Sequence, residues 1–180
     1  MSTDFPENRM KYTVFDDMTE GRLPKLAGES DDDYMARILR TATRREADDP
    51  EQINTMMEPH FVSCSFRDQE LSFRYKAEKW CLNPTGTLHG GIMASACDIA
   101  MGVLARVLDD GVRAATVELN VHYMRPVDPG TEYIVTARMK KNGKSLKFME
   151  CDVRSASDDK MLAGATGIFV RAPGSGSQNR

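Results

Sequence analysis

The chain has 180 residues, 41% hydrophobic and 28% charged, with a formal net charge of −3. That length suits one domain with at most an appendage and is enough to bury a core. The acidic balance excludes a general basic field for nucleic acid or anionic membrane. Cys64, Cys81, Cys97 and Cys151 are scattered, without the spacing of a zinc site or a disulfide framework.

Residues 1–58 are polar and charge-rich and read as a partly helical extension. Met1 to Met10 contain no apolar leader, and no stretch approaches the roughly 20 apolar residues of a membrane span. With reduced thiols, this predicts a cytoplasmic protein. A helix is expected from Asp31 to Ala47. Ser30 suits its N-cap, and Asp31, Asp32 and Asp33 suit its positive end. Tyr34, Ile38, Leu39 and Ala42 form an apolar stripe at helical spacing. Asp48-Asp49-Pro50 ends it, and a short helical turn over Glu51–Met57 precedes Pro59. The acidity favours a packing or lid element over a DNA-reading helix pair.

Residues 59–172 alternate as strands around one helix. A hairpin is expected over Phe61–Arg67 and Leu71–Trp80. A glycine-rich run follows, then a helix from Gly90 or Gly91 to Leu108, closed by Asp109-Asp110-Gly111. In the next strand Ala115, Val117, Leu119, Val121 and Tyr123 share one face, and Thr116, Glu118, Asn120 and His122 the other. Pro126–Gly130 turns the chain into a strand over Tyr133–Lys141. Asn142-Gly143 signals a two-residue hairpin. Ser145–Ala156 returns with Met149, Cys151 and Val153 alternating, and Met161–Arg171 is the last strand. Residues 173–180 are expected to be a disordered tail. Hairpin, long helix and meander together predict an α+β fold in which a curved sheet wraps one buried helix.

Asp98 is the only side chain between His89 and Arg106 expected to be charged. Ile92, Met93, Ala96, Ile99, Ala100, Val103, Leu104 and Val107 make that helix apolar nearly all round, the mark of a buried helix. Small residues (Ala94, Ser95, Gly102, with Ala105 beyond) flank Asp98 and leave room for a partner backbone or a ligand. Asp98 could simply bond across a packed interface, but the glycines at the same helix start favour a function. Bare backbone N–H groups there can bind an electrophile. Gly90 and Asp98 are eight residues apart, about 12 Å along a helix. Reacting atoms must meet within about 3–3.5 Å. If Gly90 N–H holds a carbonyl oxygen, the carboxylate must come from a second copy, and the site implies a homodimer. His89 is better placed to fix the loop by a ring hydrogen bond than to catalyse, because no carboxylate sits at useful local spacing. Cys97 reads as a small core residue. Gly86–Gly91 lacks the Lys-Ser/Thr of a phosphate loop.

The run Asn83-Pro-Thr-Gly-Thr-Leu-His-Gly-Gly91, followed after six residues by Asp98, resembles the hotdog-fold acyl-CoA thioesterases of the phenylacetate-pathway type. Thr116–Pro126, Asn142-Gly143-Lys144-Ser145 and Ala163–Phe169 also look like segments of that family. The resemblance covers residues 60–172 and leaves the extension out. It implies a hotdog fold and hydrolysis of an acyl-CoA or aryl-CoA thioester without metal or cofactor. It gives Gly90 the carbonyl-polarising N–H, with Gly91 beside it at the substrate. Asp98, lent across the dimer, becomes the acid that activates water or attacks directly. Asn83 would orient substrate or water, Thr116 would assist the acid, and His89 would shape the loop. A dimer or a homotetramer, as a dimer of dimers, is implied as well. Coenzyme A phosphates need cations, and Arg125, Lys140, Lys141, Lys144 and Lys147 gather near strand ends, Arg125 and Lys144 being the first candidates. Two other functions stay open: a non-catalytic acyl-CoA-binding protein, and a hotdog enoyl-CoA hydratase or dehydratase. Asp98 speaks against the first, and the place of His89 in the glycine turn against the second.

Overall fold

A computed structural model of the chain describes residues 14–44 and 53–171. The expected tail and the expected end of the first helix at residues 45–47 lie outside them. Helix α1 covers Val14–Thr19, α2 Asp31–Arg44, α3 Ile53–Met56 and α4 Gly90–Val107. Strands β1 to β6 cover His60–Ser65, Glu70–Lys76, Ala114–Tyr123, Glu132–Asn142, Leu146–Ser155 and Met161–Arg171. They form one antiparallel sheet in the order β1-β2-β4-β5-β6-β3, so β3 ends the sheet opposite β1.

The pleat puts Leu71, Phe73, Tyr133, Val135, Met149, Cys151, Val153 and Phe169 on one face, all buried. Against it lie Met93, Ala96, Cys97, Ala100, Met101 and Leu104 of α4. Eighteen residues of α4 reach a mean hydropathy of 1.4, a composition that suits a membrane span as well as a core; here the sheet takes up that apolar surface. Helix and sheet meet closely at Gly167, where a Cβ would lie 2.9 Å from the Phe169 ring and 3.1 Å from Met101. The opposite face carries Leu146 and Phe148 partly exposed on β5 and a polar network across β2, β4 and β5. Arg138 joins Glu70 (2.5 Å) and Asp152 (2.9 Å) across three strands, and Ser72 meets Thr136 at 2.9 Å.

The extension belongs to the same core. Ser30 caps α2, its Oγ accepting from Asp33 N–H at 3.0 Å and donating to Asp33 Oδ2 at 2.7 Å. Met35, Ile38 and Leu39 on α2, Phe15 and Met18 on α1, and Met57 join the cluster that contains α4 and the sheet. Asp32 Oδ1 accepts from Phe66 N–H at 2.5 Å, and Arg40 lies over the Phe61 ring at 5.1 Å, fastening α2 to β1 and the turn after it. No sequence signal marks α1, in which Phe15 and Met18 are buried.

Four expectations are corrected. Strand β2 stops at Lys76 rather than Trp80, because the chain winds into a 3₁₀ turn over Lys79–Cys81 that brings the Cys81 carbonyl to His89 N–H at 2.8 Å. In β3 the register slips between Thr116 and Glu118, so the bulge at Val117 reverses the alternation. Thr116 therefore turns toward α4 together with Leu119 and Val121, while Val117 is 60% exposed. The strands do not close at Asn142-Gly143 in two residues: β4 runs through Asn142, β5 resumes at Leu146, and Gly143 N–H bonds Leu146 O at 3.0 Å. Gly143 is needed for space, since a Cβ would stand 2.6 Å from that oxygen. Lys147, grouped above with the surface cations, is buried. Its ammonium bonds Asn142 Oδ1 at 2.5 Å and lies 3.5 Å from Asp109 just past α4, where a cation also meets the negative helix end.

Gly111 fixes the seat of α1. Its φ is +82°, and a Cβ there would meet the Phe15 carbonyl oxygen and lie 2.9 Å from Met18. Gly111→Ala is expected to lower the unfolding free energy by about 2 kcal/mol or more, read as an earlier urea midpoint; an unchanged midpoint would show that α1 does not depend on this contact.

Candidate active site

The loop before α4 is built around Asn83. Its Oδ1 accepts from Thr85 N–H (2.9 Å), Thr85 Oγ1 (2.6 Å) and Thr87 N–H (3.2 Å), and its Nδ2 donates to Thr87 Oγ1 at 2.9 Å. Asn83 thereby shapes the loop from within, and Gly86, at φ +84°, supplies the reversal. Leu88 N–H is held by Val127 O at 2.9 Å.

The first turn of a helix leaves backbone donors without helical acceptors. His89 answers most of them. At φ −64° and ψ 131° it is the N-cap. Its Nδ1 accepts from Gly91 N–H at 2.9 Å, and its carbonyl accepts from Ile92 N–H (3.0 Å) and Met93 N–H (3.1 Å). An accepting Nδ1 puts the neutral ring's proton on Nε2. Gly90 N–H has no acceptor among the described residues. The Gly90 carbonyl receives the Tyr123 hydroxyl at 2.8 Å, and a Cβ on Gly90 would stand 3.2 Å from the Tyr123 ring. Glycine is required here by close approach. Gly91, expected at the substrate, spends its N–H inside the loop.

Gly90, Asn83, Leu88, Met93, Tyr123 and Arg125 border a concavity of about 350 Å³. Arg125 donates to Met161 O at 2.5 Å on its rim. Lys144 is exposed on the β4–β5 turn and does not border this concavity.

Asp98 does not border it either. It stands further along α4, half-buried, and Thr116 Oγ1 donates to its Oδ1 at 2.6 Å. That bond fixes the carboxylate and leaves Oδ2 and further lone pairs for another donor. Gly91, Ala94, Ser95, Asp98 and Gly102 form a partly exposed stripe along α4, beside the free edge of β3. The described residues hold no cluster of three or more metal-ligating side chains. Each chain thus presents a helix-end donor with its positive dipole and, two turns on, an oriented carboxylate. The first suits developing negative charge on an oxygen, the second a proton or an electrophilic carbon.

Residues 85–162 match the family model of the thioesterase superfamily. Acyl-coenzyme A thioesterase 13 of Mus musculus is 32% identical over 95 residues, covering 53% of this chain and 68% of that protein. The Homo sapiens protein of the same name is 32% identical over 88 residues, 49% of this chain and 63% of its own length. The match thus spans about two-thirds of each relative. Among solved structures, zebrafish thioesterase superfamily member 2 aligns at a TM-score of 0.67 with 23% identity, over 76% of this chain and 98% of that one. Thioesterase superfamily member 2 of Mus musculus aligns at 0.66 with 25% identity, over 76% and 96%.

Sequence reasoning read Tyr123 only as a strand residue and missed its hold on Gly90. Alternation puts Tyr123 on the face of Leu119 and Val121 but does not show that this end of β3 lies over the start of α4. Tyr123→Phe keeps the ring and removes one hydrogen bond, worth roughly 1 kcal/mol. The expected result is a several-fold faster amide exchange at Gly91 with the exchange of β5 unchanged.

Proposed function

The chain belongs to the thioesterase superfamily and has its hotdog fold, and we propose that it hydrolyses an acyl-CoA or aryl-CoA thioester to the free acid and coenzyme A. The observation that carries this reading is the single outward donor, Gly90 N–H, at the start of a helix that also bears a Thr116-held Asp98.

Thioester hydrolysis develops negative charge on the carbonyl oxygen. Gly90 N–H and the α4 dipole meet that charge, and the donor is fixed before substrate arrives because it shares its peptide with the His89 carbonyl, which Ile92 and Met93 N–H hold. Eight residues separate Gly90 from Asp98, about 12 Å of helix, so Asp98 serves the carbonyl held by another copy of the chain. Two α4 stripes of small residues facing each other make that approach close. The carboxylate takes a proton from water as the oxygen attacks the carbonyl carbon, or attacks that carbon itself. The tetrahedral intermediate then expels the coenzyme A thiolate, which takes up the proton; on the second route water cleaves the anhydride left on Asp98, freeing the acid and restoring the carboxylate. Thr116 keeps the carboxylate aimed throughout. Arg125, on the rim of the concavity, is the first partner for a coenzyme A phosphate. Lys144 would join it from the β4–β5 turn of an assembled homodimer or dimer of dimers. Four free cysteines suit a cytoplasmic setting.

Thiol release over a panel of acyl-CoA and aryl-CoA thioesters tests the activity. Asp98→Asn is expected to cut turnover about a hundredfold or more while the protein stays folded. Gly90→Pro deletes the N–H at a helix position that accepts proline but sets its ring against Tyr123, so it is read against Gly90→Ala, which makes the same contact and keeps the donor; a further loss of about 10²–10³-fold in turnover is expected. Mixing the two inactive variants should restore about a quarter of wild-type activity, because half the dimers then carry one intact site of two. No restoration would place donor and carboxylate in one chain. Hydration of a 2-enoyl thioester without thiol release would replace hydrolysis by the hydratase reading, and acyl-CoA binding without turnover would leave a binding protein.

A further inference from the structure

Strand β3 ends the sheet, and no described strand pairs with its outer edge. An open edge is a template for another strand, and edges that stay in solvent are short or carry Lys or Pro. Ala114–Tyr123 is ten residues long and has neither, and the bulge at Val117 interrupts only its start. Val117, Tyr123 and the following Met124 expose large apolar groups there, 60%, 54% and 55%. Glu118, Asn120 and His122 lie on the outer face, beside Ile168, Thr166 and Gly164 of β6, while Leu119 and Val121 pack toward the core.

Two hydrogen bonds tie β3 to α4. Thr116 Oγ1 donates to Asp98 Oδ1 at 2.6 Å, and the Tyr123 hydroxyl donates to the Gly90 carbonyl at 2.8 Å. The strand thus runs past the helix in the opposite direction. In a homodimer where Asp98 of each copy meets Gly90 of the other, the two-fold axis passes midway between those residues, at Ala94. Between Thr116 and Tyr123, with Val117 set aside by the bulge, stand Glu118, Leu119, Asn120, Val121 and His122. Asn120 is the middle one, so the same axis meets β3 at Asn120. Strands related by that axis run antiparallel, and residues facing each other across them share a face of the sheet. Asn120 then faces its own copy, and Glu118 faces His122.

We propose that β3 pairs with β3 of a second copy about Asn120, and that Glu118, facing the partner subunit's His122 on the outer face, fixes the register at which Gly90 of one copy meets Asp98 of the other. This rests on the reading in which Asp98 serves another copy's carbonyl. In one copy Glu118 accepts from Asn120 Nδ2. Across the seam it gains an imidazole, a donor when neutral and a cation when protonated. Because facing residues must share a face, the nearest slip moves the copies by two residues, about 7 Å. Either slip parts Glu118 from the facing imidazole and carries Asp98 away from the reacting carbon, which must lie within about 3–3.5 Å of its attacker.

The experiment reads the register by disulfide trapping in the native protein, with oxidised glutathione accepting the two thiol hydrogens. Facing residues have Cβ atoms about 5 Å apart, close enough to bridge, whereas residues four positions out of register are about 13 Å apart and cannot be bridged. Asn120→Cys is expected to run as a covalent dimer on a non-reducing gel. Glu118→Cys and His122→Cys are each expected to stay unlinked, and the variant carrying both to link. The native thiols give little background: Cys81, Cys97 and Cys151 are buried, and burial pushes the Cys64 thiol up to about 11. Sedimentation gives a second reading. Glu118→Lys sets a cation against His122 and is expected to weaken the dimer several-fold, and adding His122→Glu to restore it. Links in the expected pattern without thioester cleavage by wild type leave the seam standing, and the thioesterase reading falls by itself. Cleavage by wild type with links at Glu118 or His122 singly, equal links at every position, or none at Asn120 overturns the seam, as does a wild type that sediments as a monomer.

Discussion

Helix α4 begins with backbone donors that its own turns cannot satisfy, and the fold around it follows from how they are met. His89 takes two of them, Gly91 N–H on its ring nitrogen and Ile92 N–H on its carbonyl, which also accepts the helix's first regular bond from Met93. Its own N–H goes to Cys81, which is why β2 gives way to a 3₁₀ turn before the loop. Asn83 then closes the loop on itself, and Tyr123 reaches over from β3 to hold the Gly90 carbonyl. What is left is one N–H, Gly90's, in a rigid frame. Preorganisation of this kind costs nothing at the moment of reaction.

The same helix sets the shape of the domain. It is apolar on nearly every side, so one sheet face does not cover it, and the sheet curves while α1 and α2 fill in beside β1. Close contact at Gly167 and the small residues of the stripe serve different ends. The first lets the sheet approach from below. The second leaves one strip of α4 uncovered where Asp98 lies. Lys147 and Asp109 close the far end of the helix, as His89 closes the near one.

Much of this was legible in the sequence. Helical periodicity over Ile92–Val107, one carboxylate within it, and glycines at its start announce α4 and its unusual residues; the spacing of Gly90 and Asp98 follows from helix geometry alone. The hydrogen bond from Thr116 to Asp98 was hidden from the plain alternation of β3, which put Thr116 on the other face. A bulge adds one residue without changing composition, so alternation does not reveal it. Lys147 reads as a surface charge because its partners, Asn142 and Asp109, come together only when β5 folds onto the end of α4. Tyr75 and Tyr133 are five dozen residues apart and become a pair only by register. Local patterns carry the elements; pairings between distant elements carry the details of the site.

The extension's place in the core has a consequence for the order of folding. Thr19 reaches the Asp110 carbonyl at 3.4 Å across 91 positions of sequence, and α2 rests on β1 and the turn after it. A ribosome delivers α1 and α2 first, yet their binding surface exists only once α4 and its closing loop have emerged. During synthesis Phe15, Met18, Ile38 and Leu39 are apolar surface awaiting a partner, the kind that chaperones hold and that aggregates when left uncovered. Long-range closure of this sort slows folding. Asp31, Asp32 and Asp33 crowd the first turn of α2, so the waiting apolar segment emerges behind three carboxylates.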